Sequence, residues 1–91
     1  EVDFVVSAQN RVIPVEIKAG KSGSLKSLQQ FALSKKAELA CRFDLNLPSR
    51  QTVEHHLRQR EETKKAVFTL FSLPLYLIEE VSAIAAAYLA T

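Results

Sequence analysis

The chain has no methionine and a single cysteine, Cys41. One cysteine excludes an intrachain disulfide and any cysteine-based zinc cluster. It fits a reducing compartment, so a cytoplasmic protein is expected. No basic-then-apolar leader opens the chain. No long hydrophobic run is present either. The longest apolar stretch lies near the C-terminus, where Glu79 and Glu80 interrupt it. The run after these two glutamates, 81–90, is shorter than the ~20 residues a bilayer span needs, so no membrane segment is expected. Charge of one sign is also lacking. Twelve Lys and Arg stand against ten Asp and Glu, a formal charge of +2. Any nucleic-acid binding must therefore come from a local patch. A missing glycine excludes one more class. Gly20-Lys21-Ser22 looks like the end of a phosphate-binding loop, but the position five residues before Gly20 is Val15. Such a loop needs glycine there, so no nucleotide site is expected in this chain.

What is present is ordinary globular composition. Of 91 residues, 47% are apolar and 24% charged, which suits a single small domain rather than disorder. There is no internal repeat and no low-complexity linker. The chain begins in strand pattern at Glu1-Val2-Asp3-Phe4 and stops within an alanine-rich helical pattern. One domain spanning 1–91, a piece of something longer, is the expectation.

Val2 to Ala8 alternates and is rich in Val and Phe, a strand signal. Gln9-Asn10 supplies a two-residue turn, since Asn tolerates the left-handed conformation that tight hairpins require. Arg11 to Ala19 alternates again. Val12, Pro14, Glu16 and Lys18 point one way, and Ile13, Val15, Ile17 and Ala19 the other. Pro14 has no donor and must sit where no ladder bond is needed. Gly20 to Gly23 breaks the pattern. Ser24 is a suitable N-cap for a helix from Leu25 to about Lys36, with Leu25, Leu28, Phe31 and Ala32 as its buried stripe. Glu38 to Leu45 reads as a third strand, reached by a crossover and parallel to its neighbour. Leu47 to Lys65 is polar. Between Gln51 and Lys65, Val53 and Leu57 give too narrow a stripe for a firm helix, so a loop or frayed helix is predicted. Ala66 to Ser72 is strand-like. Pro74 opens a helix over Leu75 to Leu89, buried through Leu77, Ile78, Val81, Ile84, Ala85 and Tyr88. The fold class is α/β, an α+β mixed sheet.

The hairpin register carries the chemistry. With Gln9 and Asn10 as the loop, Ala8 faces Arg11, Asp3 faces Glu16 and Glu1 faces Lys18. Opposed side chains in such a pair have Cβ atoms about 4.5–5.5 Å apart. Two carboxylates there repel unless a cation lies between them. A hard ion such as Mg²⁺ accepts one or two carboxylates, water and phosphate oxygens. Asp3 and Glu16 are the predicted metal ligands, with the Ile17 carbonyl as a further oxygen. Lys18, two residues past Glu16, shares its face. Its ammonium is placed to position a metal-bound water as nucleophile or to neutralise charge developing on a phosphate. The bland reading is a solvated strand face with modest ion pairs.

At these residues a family resemblance enters. The strings Glu1-Val2-Asp3-Phe4-Val5 and Ile13-Pro14-Val15-Glu16-Ile17-Lys18-Ala19-Gly20-Lys21 resemble a domain of unknown function that follows an AAA-type ATPase module in bacterial and archaeal proteins. The likeness continues through Ser24-Leu25-Lys26-Ser27-Leu28 and Leu73-Pro74-Leu75-Tyr76-Leu77-Ile78. That domain is similar to the PD-(D/E)XK nuclease superfamily. The resemblance implies a truncated restriction-endonuclease-like core: antiparallel hairpin, crossover helix, parallel strand and C-terminal helix. It implies Asp3, Glu16 and Lys18 as the catalytic triad, with Mg²⁺ or Mn²⁺ as cofactor. The superfamily core starts with a helix and a further strand, which here would lie upstream of Glu1.

Several lures have plainer readings. His55 and His56 are adjacent and diverge on any regular element, so no zinc pair is expected. Arg50, Arg58, Arg60, Lys64 and Lys65 are interleaved with Glu54, Glu61 and Glu62, a solvated surface. Cys41 is expected buried within its strand. Ala83, Ala85, Ala86 and Ala87 allow close helix packing within the domain or across a dimer. Lys21, Ser22 and Lys26 are the candidate DNA-backbone contacts, at a helix N-terminus that favours anions. Two functions stay open. One is metal-dependent hydrolysis of DNA phosphodiesters. The other is a degenerate nuclease fold serving an ATPase as an interaction, dimerisation or nucleic-acid-binding module. In the second, a homodimer forms through a sheet edge left open by the missing strand.

Overall fold

The computed structural model describes residues 2–18, 25–45 and 47–91. Two strands come first, β1 (Phe4–Ala8) and β2 (Arg11–Ile17). They pair antiparallel from Ala8↔Arg11 to Phe4↔Val15, the register expected from the sequence. Gln9 and Asn10 have φ of 52° and 60°. Positive φ at both central residues is the mark of a type I′ turn, whose twist matches that of its strands. Helix α1 (Lys26–Lys35) then crosses to β3 (Leu39–Asp44), which lies parallel to β2. Lys36 ends α1 in the left-handed region at φ 56°, with Lys35 against the negative end of the helix dipole.

Pro14 has its reason in this geometry. Around a two-residue turn, hydrogen-bonded and non-bonded pairs alternate. Counting from Ala8↔Arg11, the Val5↔Pro14 pair is non-bonded. The donor that Pro14 lacks would point toward β3, where pairing starts only at Val15↔Cys41.

One prediction fails outright. The segment 51–65 is not a loop or frayed helix. It lies in β4 (Ser49–Gln59) and the first part of β5 (Glu62–Pro74), a hairpin paired without a break from Ser49↔Ser72 to Gln59↔Glu62. Period two was the pattern to see. Val53, His55 and Leu57 are half-buried, while Thr52, Glu54, His56 and Arg58 are exposed. Pairing with the apolar strand Ala66–Ser72 decides the state, as tertiary context does for weak local propensity. The turn is Arg60-Glu61, and Arg60 takes φ 55° without being glycine or asparagine. At about 3.3 Å per residue, a strand of thirteen residues spans ~43 Å, the 43 Å long dimension of the molecule.

The sheet has five strands in the order β1-β2-β3-β5-β4. Its three central strands are parallel, and each outer pair is antiparallel. Helices cover both faces. On one side α1 packs Leu28 and Ala32 onto Ala40, Phe68 and Leu70. On the other, α2 (Val81–Leu89) packs Val81 and Ala85 onto Ile13, Val15, Cys41, Phe43 and Phe71. Central β3 is therefore buried on both faces, which explains its apolar run. Pro74 ends β5 instead of opening one long helix. Leu75–Glu80 forms a 3₁₀ segment, and α2 follows from Val81. A tighter 3₁₀ start is common at helix N-termini, and no side-chain cap is present here to favour α geometry from the outset. Tyr88 of α2 stacks edge-on against Phe71 at 5.0 Å and shares a 2.9 Å hydrogen bond with Thr69. The expected N-cap Ser24 and the loop Gly20–Gly23 lie outside the described residues, as does the pairing of Glu1 with Lys18.

Candidate functional site

Polar side chains collect where the parallel strands end. The face under α1 carries Glu16 on β2, Arg42 on β3 and Ser72 on β5 at one level, since the register pairs Glu16↔Arg42 and Arg42↔Ser72. One step further along the same face come Lys18 and Asp44. The result is a checkerboard of alternating charge. Glu16 is 5% exposed, Asp44 4% and Ser72 1%, so the row is largely withdrawn from water. Buried charges of this kind persist only when paired. Lys18 Nζ lies 3.7 Å from Glu16 Oε2. Arg42 Nε lies 2.9 Å from Asp44 Oδ2, an ion pair whose N–H does not aim along the contact. The other arm of the Arg42 guanidinium donates to Ser72 Oγ at 2.9 Å. In open sheets with parallel strands, ligands are received at the carboxyl ends of those strands.

Asp3 sits at the margin of this row. The β1–β2 ladder ends at Phe4↔Val15, and Asp3 comes next beside Glu16 in an exposed bend. Its Oδ2 accepts the Ile17 amide at 2.7 Å, standing in for the next rung of the ladder. The following amide, Lys18 N, donates to the Phe43 carbonyl on the β3 side at 2.8 Å. N–H and C=O of one strand residue point to the same side. The Ile17 carbonyl is therefore turned toward the Asp3 edge. Asp3, Glu16, Ile17 and Lys18 thus meet at one corner of the sheet, Asp3 through a backbone contact and Lys18 through an ion pair.

The remaining predicted positions divide. Lys26 is exposed at the first turn of α1, whereas Lys21 and Ser22 lie outside the described residues. His55 and His56 do point apart: His56 Nε2 contacts Glu54 Oε1 at 2.9 Å, and His55 is half-buried on the opposite face. That hydrogen bond, and then the Lys65 ammonium at 3.5 Å, hold the Glu54 carboxyl below its usual range. Cys41 is fully buried, and burial pushes its thiol up to about 12, which keeps it protonated and inert. Sequence reasoning missed Arg42, Asp44 and Ser72. A signal existed in Leu39-Ala40-Cys41-Arg42-Phe43-Asp44, where two charges fall at alternate positions of an otherwise apolar strand. Such charges share one face of a buried strand and must find partners there.

No group of three or more His, Cys, Asp or Glu side chains close enough to hold a metal occurs among the described residues. The donor set at the corner is two carboxylates and one carbonyl, all hard oxygens. That matches what Mg²⁺ takes from a protein when it keeps water and phosphate oxygens in its other positions. None of the described helices is long and apolar enough to cross a membrane.

Fold and row together define a mixed α/β domain with a charged, part-buried site at the carboxyl ends of its parallel strands. Within that class, the chain belongs to the DUF4143 family, a domain of unknown function, whose model matches residues 1–76. The matched stretch takes in both hairpins, α1, β3 and the whole charged row. No curated protein and no solved structure shows a significant match to the chain.

Proposed function

We propose that this chain is a PD-(D/E)XK nuclease-like domain with a restriction-endonuclease-like core, hydrolysing DNA phosphodiesters with Mg²⁺ or Mn²⁺. One observation carries the reading: Glu16, Ile17 and Lys18 stand together at the carboxyl end of β2, with Asp3 bonded to the middle residue of the three. Asp3, Glu16 and the Ile17 carbonyl hold the ion. A divalent ion there supplies Lewis acidity toward a phosphate oxygen and an activated water. Lys18 neutralises charge developing on the phosphate. Arg42, tied to Asp44 and Ser72, keeps the buried side of the row fixed so that Glu16 has a defined neighbour. Lys21, Ser22 and Lys26 are the proposed contacts to the DNA backbone. A place alongside ATPase modules is supported only by the resemblance of the strings around Asp3, Glu16 and Pro74. The test is cleavage of duplex and branched DNA by the protein with Mg²⁺ or Mn²⁺, beside Asp3→Asn and Lys18→Ala. Metal-dependent cleavage lost in both variants is the expected result. Cleavage unchanged by either variant overturns the assignment.

A second reading has its own observation. Every charge in the row already has a partner of opposite sign, an arrangement that also suits a fold kept for shape. In that reading the domain is a non-cleaving interaction or nucleic-acid-binding accessory of an ATPase. Salt-dependent DNA binding that survives Asp3→Ala, without metal-dependent cleavage, separates it from the first.

A further inference from the structure

The two edges of the sheet differ. β1 is short, five residues, and its neighbour β2 carries a proline. β4 is eleven residues long, without proline, lysine or bulge, and nothing among the described residues pairs with its outer side. Natural edges are blunted by shortness, proline, a bulge or charged side chains, lysine above all. Of these β4 carries only charges, Arg50, Glu54 and Arg58, and they are of both signs, so they do not repel a complementary strand. Its outward groups can be identified. Thr69 N donates to the Glu38 carbonyl at 2.9 Å, away from β4. Thr52, paired with Thr69, is therefore in a non-bonded pair, and its N–H and C=O point outward. By alternation Glu54, His56 and Arg58 do the same.

We infer that the outer edge of β4 pairs antiparallel with β4 of a second copy of this chain, about a two-fold axis at His55. This pairing goes beyond the proposed function and rests on a different edge of the sheet. Complementarity selects both the partner and the register. Faces match only when even-numbered residues stand opposite even-numbered ones. Centred on His55, Glu54 faces the partner's His56, Thr52 faces the partner's Arg58, and Val53 faces the partner's Leu57. Each pair occurs twice by symmetry. A carboxylate–imidazole hydrogen bond and an apolar contact thus coincide within β4, pairs that stabilise sheets, and the single like-charge opposition, Arg50 with the partner's Arg60, falls at the turn outside the strand. Centred on Glu54, the register opposes Glu54 to the partner's Glu54 and Arg50 to the partner's Arg58. Centred on His56, Val53 and Leu57 face polar residues. A shift to Val53 sets Leu57 against the partner's Ser49, and one to Leu57 sets Val53 against the partner's Glu61. The product is a ten-stranded sheet built from two five-stranded ones.

Sedimentation of the protein across a range of concentrations tests this, with a dimer expected. Thr52→Pro removes one outward donor and no bond to β5, so it sediments as a monomer with an unchanged circular dichroism spectrum. Under mild oxidation His55→Cys gives a covalent dimer on a non-reducing gel. His56→Cys does not, because its two copies are offset by two residues, at roughly 8 Å between Cα atoms, beyond disulfide reach. A monomer at every concentration overturns the proposal. So does a dimer that survives Thr52→Pro, or cross-linking at His56 as efficient as at His55.

Discussion

The two hairpins of this domain solve one problem with different means. The β1–β2 hairpin turns on Gln9-Asn10, where glutamine is held in the left-handed region beside an asparagine that tolerates it, and it buries Ile13 and Val15 to 1% and 0% exposure. The β4–β5 hairpin turns on Arg60-Glu61 and forces arginine to φ 55°. Among the described side chains of its outer strand none is completely buried: Val53, His55 and Leu57 remain half-exposed. The first hairpin is thus held by its own turn and core, and it presents the charged corner. The second is held by one partner, β5, whose apolar half is anchored by Phe68 and Leu70. Local chemistry suffices for the first, whereas the second needs the rest of the sheet.

The largest expected effect breaks this contrast if it fails. Ile13→Ala lies in the core and is expected to cost about 2–5 kcal/mol in unfolding free energy. Leu57→Ala, half-exposed on the ribbon, is expected to cost less than about 1 kcal/mol. Urea unfolding of both variants is the check, and equal losses contradict the contrast.

Next in size is Asp3→Ala. The Ile17 amide loses its acceptor, and a typical net hydrogen bond is worth about 0.5–1.5 kcal/mol. Faster hydrogen exchange at Ile17 than at its neighbour Lys18, which bonds to Phe43, is the local signature.

The turns themselves come third. Arg60→Gly removes the left-handed penalty and is expected to stabilise by up to about 1 kcal/mol. Asn10→Ala is expected to destabilise by about as much. Thermal unfolding of the pair shows opposite signs if both residues occupy the conformations described.

The smallest effect is electrostatic. Glu54 is held below its usual range by His56 and then Lys65. A carboxyl depressed in the folded state contributes stability that is present above its unfolded value, about 4.3. That contribution disappears as pH falls through the lower folded value. Glu54→Gln is therefore slightly less stable than the native chain at neutral pH. The two melting temperatures should converge in acid only below that lower folded value.

The same contrast explains how far the sequence could be read. The first hairpin, with its register to the residue, was legible because turn chemistry and alternation agree over Phe4–Ile17. Helix α1 and the parallel step to β3 followed from a clean apolar stripe. β4 was lost because a half-buried strand of polar residues, closed by Arg60-Glu61, carries no turn signal and only three weakly apolar positions on one face. The corner Asp3, Glu16 and Lys18 was legible from register alone. Arg42, Asp44 and Ser72 were not, because joining them requires knowing that β3 lies between β2 and β5. Even so, alternate charges in a buried strand were a usable clue to Arg42 and Asp44.

The central claim is that Asp3 and Glu16 hold a divalent cation at the end of β2. Titrating the protein with Mg²⁺ while following backbone amide resonances tests it most directly. Saturable shifts at Ile17 and Lys18 are expected, with matching paramagnetic broadening by Mn²⁺, both lost in Glu16→Gln. No saturable change at millimolar metal, or identical shifts in Glu16→Gln, would contradict it.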